Sequence, residues 1–181
     1  DVNIYKNKTS FNVIKSGEIY YSNDLNHWYS SMGNNKLKKL INNSDKIFAF
    51  DDDNKIFHST GTKTWEPFLK EDLIEKSQKN DYLRKFNSVV SSENINLAIG
   101  DNGIIFRSND SKKWENIKID YDINLNAIIN NNDIYVIVGD DGTIITSKDG
   151  IDWVTKYSGT DDDLIDIIFG NDEFVVLGED G

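Results

Sequence analysis

The sequence predicts an all-β fold assembled from serial four-stranded antiparallel units. Three observations carry that prediction. Each of the four tryptophans falls six residues after a serine, in "SNDLNHW" (22–28), "STGTKTW" (59–65), "SNDSKKW" (108–114) and "SKDGIDW" (147–153). The residues upstream repeat too: "LNAIINNNDIYVIVGDDGTIITS" (125–147) lies without a gap over 86–108 and over 37–59. The apolar runs are short, rich in β-branched and aromatic residues and broken by Asn, Asp and Gly, with a single proline in the chain. That pattern suits strands and turns and is too interrupted for helices.

Within one repeat the elements follow in order. "LNAII" reads as the first strand and is followed by an Asn/Asp turn. "IYVIVG" is the second, and "GDDG" supplies a tight hairpin, because Gly, Asn and Asp tolerate the left-handed backbone such turns need. "TIITS" is the third strand and "WVTKY" the fourth. At the hairpin offset the copies carry Gly142, Gly103 and Asn54, all permissive of positive φ. A first copy opens the chain with Gly17 at this offset, and a further copy starts at Leu164 and reaches Gly181.

Four strands in a period of 39 residues is the pattern of a β-propeller blade, which buries its faces only by stacking on its neighbours. The expected blades are 1–31, 37–68, 86–119, 125–158 and an incomplete 164–181, within a single propeller. Four and a half copies lead to the expectation of an arc of a ring of about six to eight blades, the remainder lying beyond residue 181. The period breaks once. Residues 69–85 form an insertion, charged and weakly helical, with Leu69, Leu73 and Ile74 on one apolar face; an excursion on an inter-blade loop is expected.

The Ser-x-Asp-Gly-x-x-Trp element resembles the Asp-box of the BNR, or sialidase-like, propellers. It is most similar to the slightly shorter form in propellers resembling the photosystem II assembly and stability factor. The resemblance spans nearly the whole chain and implies that the element lies between the third and fourth strands, away from the ligand face. There Ser22, Asp24, Ser59, Ser108, Asp110, Ser147 and Asp149 would bond amides of their own turns, with Trp28, Trp65, Trp114 and Trp153 packed over the hairpins. The second copy departs from the pattern, with Gly61 in place of the aspartate. Its repetition makes the element a joint in the architecture and not a chemical site.

Composition narrows function. A net charge of −11 argues against nucleic acid, which needs clustered Lys and Arg, and "KLKK" (36–39) reads as a solvated strand edge. No apolar run is long enough to span a membrane, and the absence of cysteine excludes thiolate metal sites. His27 and His58 sit within or beside the Ser-x-Asp turns, where a surface role is expected. The resemblance raises sialidase chemistry, which grips a carboxylate with three arginines beside a tyrosine nucleophile. Only Arg84 and Arg107 are present, and Arg107 adjoins Ser108. No catalytic residue and no cofactor is predicted. No phosphate-binding loop, serine elbow or metalloprotease motif occurs.

The opposite face carries the candidate site. In a propeller the turns between second and third strands share a side with the loops that join blades. Here they bring Asp52, Asp53, Asp101, Asp140, Asp141, Asp161, Asp162, Glu179 and Asp180 into an acidic arc. Asp and Gly are also simply good turn formers. The functional expectation is a surface for a basic protein, a polar glycan or calcium, the metal an oxygen-rich face would take. The chain is therefore read as a non-catalytic binding or scaffold module, one specific case being a component of a phage-tail-like or bacteriocin particle. The Asn-, Lys- and Ile-rich composition is that of an AT-rich bacterial genome, which favours a bacterial surface, extracellular or virion-like setting over the cytoplasm. The alternative is a fragment of a sialidase-like glycoside hydrolase with its catalytic residues outside this chain.

Overall fold

Alternation of apolar and polar residues over four to seven positions yields strands throughout. The computed structural model describes residues 5–6, 11–32, 36–43, 46–53, 55–59, 64–68, 85–92, 94–120, 122–131 and 134–180. Among them every regular element is a strand, and no helix is long and apolar enough to cross a membrane. Asn54, Gly61, Arg84, Gly181 and the insertion's Leu69, Leu73 and Ile74 lie outside the described residues.

The chain divides into two units, Asp1–Lys70 and Glu71–Gly181. The first holds two four-stranded antiparallel sheets. One is β1 (Tyr5–Lys6), β2 (Phe11–Lys15), β3 (Glu18–Ser22) and β4 (Tyr29–Met32); the other is β5 (Leu37–Asn43), β6 (Lys46–Asp51), β7 (Ile56–Ser59) and β8 (Glu66–Pro67). Ile19, Leu37, Leu40, Ile47 and Ala49 form the core between them, with Ile14, Phe57 and Trp65 packed against it. Lys38 and Lys39 of β5 are exposed, as a solvated edge requires.

The second unit holds two more four-stranded sheets and a two-stranded one. The third sheet is β9 (Phe86–Ser91), β10 (Asn96–Gly100), β11 (Ile105–Ser108) and β12 (Glu115–Asn116). The fourth is β13 (Leu125–Asn130), β14 (Tyr135–Gly139), β15 (Ile144–Ser147) and β16 (Val154–Lys156). The fifth is the hairpin β17 (Leu164–Gly170) and β18 (Glu173–Gly178), turned by Asn171 and Asp172 at φ 53° and 63°. All neighbours pair in sequence order, as in a meander.

Two apolar layers stack these sheets. Val90, Leu97, Ile99 and Ile105 of the third meet Leu125, Ile128, Tyr135, Ile137 and Ile145 of the fourth. On the fourth sheet's other face, Ala127, Val136 and Val138 meet Leu164 and Ile167 of the fifth. Each fully buried Leu or Ile contributes on the order of 1.5–3 kcal/mol, against about 0.5–1.5 kcal/mol net for a hydrogen bond. The layers therefore supply the cohesion between sheets, and the polar contacts set register.

One irregularity recurs. Leu125 pairs with Gly139 but Ala127 pairs with Val138, so Asn126 is an extra residue in a β-bulge. Asn87, Lys38 and Ile165 occupy the same bulge in the third, second and fifth sheets. A bulge twists the strand and re-aims one side chain.

Candidate functional site

The Ser-x-Asp turns follow the third strands. In the fourth sheet Ser147, itself buried, accepts hydrogen bonds at Oγ from the Asp149 and Gly150 amides and donates to Asp149 Oδ1 at 3.0 Å. Asp149 Oδ1 in turn accepts from the Ile151 and Asp152 amides at 2.9 and 3.0 Å. Ser108 and Asp110 repeat this network with the Lys112 and Lys113 amides, and Ser22 and Asp24 with Asn26 and His27. Amides directed at a carboxylate favour its charged form. The Ile151 amide foremost holds Asp149 below the usual carboxylate range, as the Lys113 amide does for Asp110. Asp24 is depressed furthest, chiefly by the His27 ring, whose Nδ1 lies 2.8 Å from Asp24 Oδ2. In the second sheet Ser59 Oγ donates to the Thr64 carbonyl at 2.6 Å.

The tryptophans differ in burial. Trp114 is 1% exposed and Trp28 36%, whereas Trp65 and Trp153 are half-buried. Trp65 packs on the core between the first two sheets, with Nε1 donating to Ser31 Oγ of the first. Trp153 packs on the core between the third and fourth, beside Ile95, Ile117 and Ile119. In both cases the ring rests on the preceding sheet.

The hairpin turns between second and third strands carry the acidic residues. In the second unit Asn102 and Gly103, and Asp141 and Gly142, all have positive φ (52° to 68°), the paired left-handed geometry of a tight hairpin. Backbone bonds link these turns to the segment before the next sheet. Gly103 donates to the Ile123 carbonyl and Gly142 to that of Asp162; Asp101, Asp140 and Glu179 donate to the carbonyls of Lys85, Asn124 and Asp163. Side chains repeat the linkage: the Asn102 amide donates to Asn124 Oδ1, and that of Asp141 to Asp163 Oδ1. A continuous hydrogen-bonded strip results, and it brings Asp141, Asp161, Asp162, Glu179 and Asp180 together as exposed carboxylates.

Asp101 and Asp140 belong to this strip but have another partner. Asn126, aimed by its bulge, donates from Nδ2 to Asp140 Oδ1 at 2.8 Å and to the Leu164 carbonyl of the next sheet at 3.0 Å. Asn124 takes the second Asp140 oxygen at 2.8 Å. Asn87 does the same between Asp101 Oδ1 and the Leu125 carbonyl. These carboxylates therefore act as clasps between sheets. Sequence reasoning missed Asn87, Asn124, Asn126 and Asp163; the signal was an Asn fourteen residues before an Asp in two aligned copies. Asp52 and Asp53 lie in the first unit and are exposed, Asp53 within 3.9 Å of Lys55 Nζ. Their neighbour Asp51, buried, accepts from the Asp53 and Lys55 amides.

Two further residues have structural surroundings. Arg107 Nε donates to the Asp149 carbonyl at 2.9 Å, bracing the fourth sheet's Ser-x-Asp turn on the third sheet. His58, expected at the surface, is half-buried instead: its strand turns the ring toward Phe48 and Phe68, with centroids 6.4 and 5.3 Å away. No group of three or more potential metal ligands occurs among the described residues.

No protein-family model and no curated protein sequence matches the chain. Solved structures do. A structure of YCF48 bound to D1 peptide has a TM-score of 0.71 at 16% identity over 96% of this chain and 59% of that one. YCF48 from Cyanidioschyzon merolae has a TM-score of 0.68 at 12% identity, covering 97% of this chain and 63% of that one. The WD40 β-propeller domain of Doa1 has a TM-score of 0.66 at 13% identity, covering 100% of this chain and 63% of that one. At such identities the likeness concerns the fold, and the fold is a β-propeller. The chain spans 59–63% of the length of these three structures.

Proposed function

We propose that this chain is a non-catalytic β-propeller module that binds a protein partner, the contact being a basic, extended segment laid along the acidic strip of residues 101–180. The observation that carries the reading is the hydrogen-bonded alignment of turns that groups Asp141, Asp161, Asp162, Glu179 and Asp180 on one surface. A net charge of −11 adds long-range attraction for a cationic partner. Of the partner classes left open by the sequence, a peptide is favoured over a glycan by the likeness to a propeller solved with a peptide. The Ser-x-Asp networks support assigning those turns as Asp-boxes of the sialidase-like type, with a structural role. Asp101 and Asp140 serve the strip by holding its turns in place, and the carboxylates beside them make the contact.

The test is fluorescence polarisation with a labelled lysine-rich peptide. Binding should be saturable, weaken with added salt and fall in the triple variant D141N/D161N/D162N. The double variant D52N/D53N, in the other unit, is the control and should bind as the parent does. Binding indifferent to the triple variant sinks the reading. A rise in thermal midpoint with millimolar calcium that the triple variant abolishes would assign the strip to a metal instead.

A further inference from the structure

A groove of about 400 Å³ lies on the fourth sheet, lined by Ile134, Thr146, Lys148, Asp149, Val154 and Lys156 among others. Its position follows from strand alternation. Thr146 pairs with Val154 and Ile144 with Lys156, and Ile144 belongs to the apolar layer under the fifth sheet. The groove is therefore the outer continuation of the face that β17 and β18 cover further in.

The same place one repeat earlier is filled. On the third sheet the residues equivalent to Ile134, Thr146 and Lys156, 39 positions back, are Ile95, Arg107 and Ile117. Trp153 of the next sheet packs beside Ile95 and Ile117, and Arg107 Nε holds the Asp149 carbonyl. Gly150 sits so close to Leu97 that a Cβ there would stand 3.0 Å from its Cδ2. Trp65 rests on the first sheet in the same manner. On the fourth sheet Val154 is instead 56% exposed. The adjoining hairpin exposes Ile168, Val175 and Leu177 (59%, 54% and 51%), and β18 has one paired neighbour, β17, among the described residues.

From this internal comparison we propose that the groove and the open edge of β18 form one docking site for a β-hairpin of the repeat's own third-and-fourth-strand type. The hairpin's first strand adds antiparallel to β18, as β15 does to β14, and its Ser-x-Asp turn reaches back over Thr146. Its tryptophan fills the groove against Ile134 and Val154. Main-chain bonds to the edge supply affinity, and the indole supplies specificity. This site uses a different surface from the acidic strip and does not depend on that reading.

The probe is a synthetic peptide copying residues 143–157, titrated into the full chain and followed by polarisation of a label on the peptide. Saturable binding is expected, at least about tenfold weaker when the peptide's tryptophan is alanine or the protein carries V154D. D141N/D161N/D162N should leave it unchanged, which separates failure here from failure of the acidic-strip reading. Circular dichroism on V154D, whose side chain is largely exposed in the parent, checks that the variant folds. Binding no tighter than that of a scrambled peptide, or equal binding by V154D, overturns the proposal. So does a concentration-dependent dimer in sedimentation with no peptide binding, which would assign the face to a second copy.

Discussion

Replacing Gly139 by alanine should destabilise the second unit by about 2 kcal/mol, and the structure shows why. A Cβ at this position would stand 2.3 Å from the Asn124 carbonyl oxygen and 3.3 Å from its carbon. The oxygen would have to retreat by about an ångström to reach ordinary contact, yet it accepts the Asp140 amide at 3.0 Å and belongs to the strip. Losing that bond costs about 0.5–1.5 kcal/mol and overpacking about 1–3 kcal/mol. The stiffer unfolded chain returns about 0.4–1 kcal/mol. Gly178 holds the equivalent place in the fifth sheet, but there a Cβ would meet nothing nearer than the Asp163 oxygen at 3.8 Å. With no clash to offset the unfolded-state gain, G178A should be neutral or up to about 1 kcal/mol stabilising. Urea unfolding of both variants, followed by intrinsic tryptophan fluorescence, makes the comparison. A G139A midpoint equal to the parent's, or an equal loss in G178A, refutes the close-approach reasoning.

Two further outcomes follow from the same contacts. N126A removes the bonds to Asp140 and to the Leu164 carbonyl and should cost about 1–3 kcal/mol in urea unfolding, whereas I165A, at the same bulge position with a 44% exposed side chain, should change little. Stability should also fall in acid: the carboxyls of Asp24, Asp110 and Asp149 lie below their ordinary value of 3.8 in the folded chain. Their contribution is complete above that value and is lost as pH falls through the depressed folded-state values. D149N should therefore flatten the decline of thermal midpoint below about pH 4; an unchanged decline in D149N and D110N would refute the assignment.

The fold class could be read from the sequence because it rests on periodic signals. Serine six residues before each tryptophan, and strands alternating on a 39-residue period, mark each sheet independently. The functions of individual polar residues were harder to see. "LNAII" and "FNSVV" read as plain alternating strands, and nothing in a period-two pattern shows that Asn126 and Asn87 sit in bulges that redirect them. The turn aspartates looked uniformly solvent-facing because turn formers usually are, yet Asp101 and Asp140 spend their carboxylates on those asparagines. His58 was missed for a related reason. Its nearness in sequence to Ser59 suggested a surface turn, while Phe48 and Phe68, distant along the chain, enclose its ring.

The forward reach of Asn126 to the Leu164 carbonyl, repeated by Asn87 to Leu125, has a bearing on ancestry. Each module carries a donor for its successor and an acceptor for its predecessor, so a duplicated gene segment would inherit a working junction at both ends. Selection on such an array would hold the asparagine and its aspartate together as a pair and let neighbouring turn positions drift. An isoleucine at 165, opposite Glu179, records a module that has left that constraint.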